Sequence, residues 1–226
     1  MNLHFITSIS SAYWNNIAKQ CISTWDLPGR VTVYIDQTHG DLDWIKQIPY
    51  HCELLHVPPL ESTQHANNAK IRKFWGKSSA QIHAVEHGNT NERIVWMDAD
   101  IEQLQTVPSE LFDFEFNEPV AVLHSGQPND EWESGLVIFN QAHGKLSQFM
   151  KHYSNNWNND EVLATLYKPY DAPVLGYTAV QRGFVNLCHD TGGINKLALE
   201  NSRYRGYLNH LIGKANKYDV SNRLSL

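Results

Sequence analysis

At 226 residues the chain is long enough to bury one substantial core, and its three cysteines, Cys21, Cys52 and Cys188, form no C-x-x-C pair of the kind that marks thiol metal sites and redox motifs. A net charge of -6, with the basic residues dispersed apart from one cluster, argues against a surface that grips nucleic acid through many phosphates. No stretch approaches the ~20 apolar residues of a membrane span, and Met1 to Ile6 lacks the basic flank of a signal peptide, so one domain over 1–226, cytoplasmic and with reduced thiols, is expected.

Leu3 to Thr7 reads as a first strand. Ser10 or Ser11 caps the helix that follows, with Trp14, Ile17, Cys21 and Trp25 at helical spacing, and Pro28-Gly29 ends it. Val31 to Ile35 reads as a second strand, Asp41 to Gln47 as a short helix, and Glu53 to Val57 as a third strand closed by Pro58-Pro59. This alternation predicts an α/β fold with a parallel sheet and right-handed crossovers.

The longest helical pattern runs from Asn67 to His87, with Ile71, Phe74, Trp75, Ile82 and Val85 on one face and Gly88 at its end. Lys70, Lys73 and Lys77 gather on a neighbouring face as the basic cluster, either a solvated stripe or a diphosphate contact.

The apolar run Ile94-Val95-Trp96-Met97 reads as a strand buried on both faces, and it ends abruptly in Asp98-Ala99-Asp100. Ligands of open α/β sheets collect outside the carboxyl ends of strands. Two close carboxylates repel unless a proton or cation separates them, so the pair suggests a divalent ion such as Mg²⁺ or Mn²⁺ holding a diphosphate. Helix capping and turn formation are the competing explanation for aspartates at a strand end. Asp41-Leu42-Asp43 has the same spacing without a preceding strand, and a turn explains it fully.

Pro108 to Phe112 reads as a short helix, Val120 to Leu123 as a strand, Gln127 to Asp130 as a turn and Leu136 to Phe139 as a second buried strand. Asn140 caps a helix reaching Trp157, with Leu146, Phe149, Met150 and Tyr153 on its inner face. A helical run resumes from Val162 to Tyr167, a strand is expected near Val185 to Leu187, and Thr191-Gly192-Gly193 reads as a turn.

The order of these pieces resembles the nucleotide-sugar glycosyltransferases of GT-A fold, and within that class the family 8 transferases. Four segments between Lys70 and Lys217 carry the likeness. V-W-M-D-A-D matches the strand and D-x-D whose aspartates ligate Mn²⁺ or Mg²⁺ in the family, which implies Asp98 and Asp100 as metal ligands. E-S-G-L-V-I-F-N, from Glu133 to Asn140, matches a sugar-pocket segment that more often begins Asn-Ser-Gly, so Glu133 departs from the pattern. N-D-E-V-L, from Asn159 to Leu163, resembles the family's Asp-Gln pair and implies Asp160 as the group orienting the transferred sugar.

H-L-I-G-K-A-N-K, from His210 to Lys217, resembles a His-x-x-Gly-x-x-Lys segment in which His completes the metal site and Lys holds the diphosphate. With one residue too many after Gly213, either Lys214 or Lys217 takes the latter role. The family also places a basic residue on the helix before the metal strand, implying Lys77 ahead of Arg72 and Lys73.

The expected architecture is therefore a GT-A-like, mostly parallel central sheet flanked by helices. The resemblance implies a sugar donor of the nucleoside-diphosphate type, UDP-sugars favoured, and an acceptor hydroxyl on a carbohydrate or other molecule. Retention at the anomeric carbon is the favoured outcome; inversion would need a base, for which Asp160 or Glu133 is available. Two rivals stay open. A haloacid-dehalogenase-like phosphatase also carries D-x-D, but after the first strand of its core, and a carbohydrate-binding module without turnover would use the aromatic residues alone.

Overall fold

Residues 2–36, 42–62, 68–124, 132–166, 170–188, Leu199 and 202–211 are described by the computed structural model. β1 (Asn2–Ile9) is followed by α1 (Ser11–Tyr13), a π-helical turn (Trp14–Ala18) and α2 (Lys19–Ile22). Ser10 caps this helical stretch by accepting a hydrogen bond from the Tyr13 amide. β2 (Arg30–Ile35), a 3₁₀ turn (Asp43–Gln47) and β3 (His51–Leu54) come next. β3 begins and ends earlier than Glu53 to Val57 because it lasts only while its single neighbour does, with the pairing closing at Ile35 opposite Leu54.

α3 (Ala69–His87) is capped by Asn68, whose side chain accepts from the Lys70 and Ile71 amides. β4 (Glu92–Met97), β5 (Ile101–Gln103), β6 (Val120–His124) and β7 (Trp132–Asn140) follow. Asn140 is the last residue of β7 rather than a helix cap, and α4 (Leu146–Trp157) starts a turn later. α5 (Asp160–Thr165), α6 (Asp171–Arg182), β8 (Val185–Asn186) and β9 (Leu208–His210) complete the described chain. The turns expected at Gln127 to Asp130 and Thr191 to Gly193, together with Asp41, lie outside the described residues.

The main sheet has seven strands in the order β3-β2-β1-β4-β7-β6-β8. β3, β2, β1 and β4 run parallel, β7 is antiparallel to both β4 and β6, and β8 is parallel to β6. It is thus mostly parallel, with one strand reversed. β5 and β9 form a separate antiparallel pair.

Alternation along each strand divides the core into two layers. Val95 and Met97 of β4 join Phe5, Val33, Leu136 and Ile138 on one face, under Trp14, Trp25 and Phe112. Ile94 and Trp96 join Ile6, Val137 and Phe139 on the other, beneath Trp75 of α3, Phe149 and Tyr153 of α4, and Val174 and Leu175 of α6. Each such side chain contributes about 1.5–3 kcal/mol by leaving water. No helix among the described residues is long and apolar enough to cross a membrane.

Candidate metal and donor site

β1 and β4 are neighbours, yet the chain leaves them in opposite directions across the sheet. Their carboxyl ends therefore open a crevice at the point where strand order reverses, the usual ligand position of open α/β sheets. A cavity of about 480 Å³ occupies that crevice, walled by Ser8 and Ile9 at the end of β1 with Ser10 and Tyr13 beyond it, Asp36 after β2, Asp98 to Asp100 after β4, and Glu133 to Gly135 of β7.

Local backbone bonds turn both aspartates into it. The Asp98 amide donates to Gly135 O at 2.8 Å, and the Ile101 amide closes a turn on Asp98 O at 2.9 Å. β5 begins there and pairs with β9 in the register Ile101 opposite His210, with the Leu211 amide donating to Asp100 O at 3.1 Å. Trp25 steadies β5 by donating its indole hydrogen to Ile101 O. This small sheet brings the imidazole to the carboxylates: His210 Nε2 lies 3.1 Å from Asp100 Oδ1 and 3.6 Å from Asp98 Oδ2.

Opposite, the pairing of β6 with β7 jumps from Val122–Val137 to Leu123–Glu133. The extra residues bulge out of the ladder, and bulges re-aim side chains. Here Glu133 accepts a short hydrogen bond from His210 Nδ1, while Ser134 turns toward Lys77.

Lys77, in the middle of α3, places its ammonium 2.7 Å from Asp98 Oδ1, 2.5 Å from Asp171 Oδ2 and 3.0 Å from Ser134 Oγ. Those three contacts match the three donors of a lysine. Ser134 donates to Asp171 Oδ2 at 2.5 Å, and the Trp96 indole donates to Asp98 Oδ1 at 2.7 Å.

The electrostatics follow from burial and these partners. Burial raises the Asp98 pKa above its ordinary value, the Asp100 charge adding to it and Lys77 opposing. Burial also works against the Asp100 carboxylate, but the hydrogen bond and charge of His210, with the Tyr13 hydroxyl, hold it below the usual range. His210 is pushed up to about 10: burial disfavours its charge, and hydrogen bonds to Asp100 and Glu133 outweigh that. Lys77 is raised because Asp171 and Asp98 outweigh its burial. Positive charge is therefore strongly favoured between these carboxylates.

Asp98, Asp100 and His210 each offer a ligand atom, all within 4.8 Å of one another. Two carboxylate oxygens with an imidazole nitrogen suit a divalent ion of the Mn²⁺ type, and a site that favours a cation accommodates one. The donor set fits the metal that the D-x-D motif implies.

Of the other residues singled out in the sequence, Lys77 and Glu133 are in this cluster. Asp160 is not among the cavity walls; its carboxylate accepts from Ser62 Oγ, beside an open polar depression formed with Asn155, Asn158, Asn159 and Glu161. Arg72 and Lys73 are both exposed, and of the two Lys73 lines the cavity, with its ammonium over the Tyr13 ring. Lys214 and Lys217 lie outside the described residues.

Three residues escaped the sequence reading. Asp36 closes β2 as Asp98 closes β4, so the strand-end argument applied there as well. Tyr13 hydrogen-bonds Asp100. Asp171 opens α6, signalled by Asp and Pro in one first turn, Asp171-Ala172-Pro173. Trp132 is on the cavity wall, but one face stacks on His124 with centroids 4.2 Å apart and a Cβ on Gly176 would collide with its ring. It is a packed residue rather than an open platform for a sugar.

No protein-family model matches the sequence, and neither does any curated protein. Solved structures do match. Mouse xyloside xylosyltransferase 1 superposes with a TM-score of 0.57 at 12% identity, over 93% of this chain and 97% of that one. A glycosyltransferase involved in glycosylation of the major capsid of PBCV-1 gives 0.54 at 14%, over 94% and 96%. The galactosyltransferase LgtC, in complex with donor and acceptor sugar analogues, gives 0.56 at 12%, over 82% and 73%. Against GlyE of Streptococcus pneumoniae TIGR4 the TM-score is 0.54 at 12%, over 82% of this chain, which spans only 45% of that one. The shared feature is the GT-A glycosyltransferase fold.

Proposed function

We propose that the protein is a divalent-metal-dependent glycosyltransferase, moving a sugar from a nucleoside-diphosphate donor to an acceptor hydroxyl. UDP-sugars are the favoured donors and retention the favoured stereochemistry, both resting on the likeness to family 8. The observation that carries the reading is the meeting of Asp98, Asp100 and His210 with Lys77 at the strand-order switch of a GT-A sheet.

Asp98, Asp100 and His210 would hold Mn²⁺ or Mg²⁺, which supplies positive charge to the diphosphate as the anomeric bond breaks. Lys77 adds a second cation on the same wall and can exchange one of its three contacts for a phosphate oxygen. Asp171 and Ser134 keep that ammonium at the cavity. Lys214 or Lys217 is the further diphosphate contact implied by the sequence. Asp36 and Tyr13 wall the side of the cavity that follows β1 and β2, and the nucleoside of the donor would be placed there.

The test is incubation with Mn²⁺ and a panel of nucleotide sugars, reading released nucleoside diphosphate. Metal-dependent release with at least one donor is expected. Neither release nor metal-dependent nucleotide binding with any donor would overturn the proposal, and phosphate release from simple monoesters would point to the phosphatase instead.

A further inference from the structure

Glu133 is the position at which the chain departs from the Asn-Ser-Gly run of the family it resembles. Its carboxylate is directed at the back of the metal site. Oε1 accepts from Nδ1 of His210, while Nε2 on the far side of the same ring faces Asp100 and Asp98 at 3.1 and 3.6 Å. Both groups are enclosed, with side-chain exposures of 7% for His210 and 12% for Glu133, so water competes little for this contact.

The strand is shaped around the ring. A Cβ at Gly135 would fall 2.5 Å from His210 Cε1 and 2.8 Å from Nδ1, which only a residue without a side chain avoids. The bulge between β6 and β7 sets Glu133 opposite Leu123 and puts it within reach of β9. A neutral asparagine, one methylene shorter, would offer the imidazole a weaker and more distant acceptor.

We propose that Glu133 is a positioning residue for the metal ligand His210. It keeps the ring proton on Nδ1, fixes the ring plane and leaves Nε2 as the ligand atom beside Asp98 and Asp100, a carboxylate–imidazole–metal chain. Glu133 then acts through His210 and needs no contact with donor or acceptor. The inference rests on the proposed function, in which these three residues hold a divalent ion.

The test uses Mn²⁺ alone with the full chain. Mn²⁺ affinity is measured by electron paramagnetic resonance titration, and imidazole ligation by the ¹⁴N modulation of the electron spin echo, for the wild type, Glu133→Gln, Glu133→Ala and His210→Ala. Glu133→Ala should weaken Mn²⁺ binding by about 10–100-fold and diminish the ¹⁴N signal toward that of His210→Ala. Glu133→Gln, which keeps an oxygen at the same reach, should recover most of both and guards against misfolding of the alanine variant. Wild-type affinity and ¹⁴N signal in Glu133→Ala would overturn the positioning role while leaving the metal site standing. Mn²⁺ bound by the wild type without a ¹⁴N signal would do the same, and no Mn²⁺ binding by the wild type would remove the proposed function along with it.

Discussion

Lys77 and Asp98 form an ion pair of 2.7 Å whose two side chains are 13% and 20% exposed, and the same ammonium also holds Asp171. Removing the lysine leaves two enclosed carboxylates without their cation, a loss that costs about 3 kcal/mol in comparable buried pairs. Lys77→Met should therefore lower stability by roughly that amount in metal-free buffer. A divalent ion replaces part of the missing charge, so Mn²⁺ should stabilise Lys77→Met more than the wild type. Urea unfolding with and without Mn²⁺ measures both effects; equal metal-induced shifts would contradict the shared electrostatic role.

Asp171 and Asp160 offer a paired comparison, since both open helices, Asp171 contacts the cavity-lining Lys77 and Ser134, and Asp160 is not among the cavity walls. Asp171→Asn removes one of the two carboxylates that hold the Lys77 ammonium and weakens the acceptor of the Ser134 hydroxyl, and should reduce kcat/KM for sugar transfer by at least about 10-fold. Asp160→Asn should leave kcat/KM within about twofold, because that carboxylate accepts from Ser62 and does not line the cavity. Equal losses in steady-state assays of the two variants would show the distinction to be wrong.

Gly135→Ala tests the packing beneath the imidazole. The added methyl has backbone-fixed position against the His210 ring, so the ring must move. Mn²⁺ affinity should fall about 10-fold, as expected when a ligand is displaced, while circular dichroism stays close to wild type. Unchanged affinity in a titration would mean that the ring has room the structure does not show.

His4 on β1 gives a pH signature unrelated to the metal. It is buried, bonds Thr32 Oγ1 through Nε2 at 2.9 Å, and burial, helped by the Arg30 charge, lowers its pKa to about 4. The folded state thus favours neutral His4, and its contribution is complete above the unfolded pKa of 6.5. As pH falls from there toward 4 the unfolded chain takes up a proton that the folded one resists, and stability drops by up to about 3 kcal/mol. In urea melts between pH 7.5 and 4, His4→Gln should lose this component of the slope.

The central strands were legible because residues such as Ile94 to Met97 are apolar on both faces and end in charge. Strand direction was not, since a strand buried on both sides reads alike either way, and β7 runs against β4. α6 was hidden by Pro169, Pro173 and Gly176, which punctuate as breakers although Pro173 sits in a tolerant first turn and Gly176 makes room for Trp132. Asp171 was lost with it. Asp98, Asp100 and His210 were visible as motif residues, but the three-residue pairing that joins them is too short to leave a pattern. Glu133 was noticed as an exception, and only the position of His210 explains what it faces.

The β5–β9 pairing also orders events in time. Asp100 and His210 are separated by 110 positions, so every strand of the main sheet is synthesised before the imidazole is added to the chain. The seven-stranded sheet has its own strand partners without β9, whereas the meeting of Asp98, Asp100 and His210 depends on that late, long-range closure. The segment that carries His210 also brings Tyr204 and Leu208 into the core, so the proposed ion site would be assembled only when this last stretch docks, in the same step that completes the packing under the sheet.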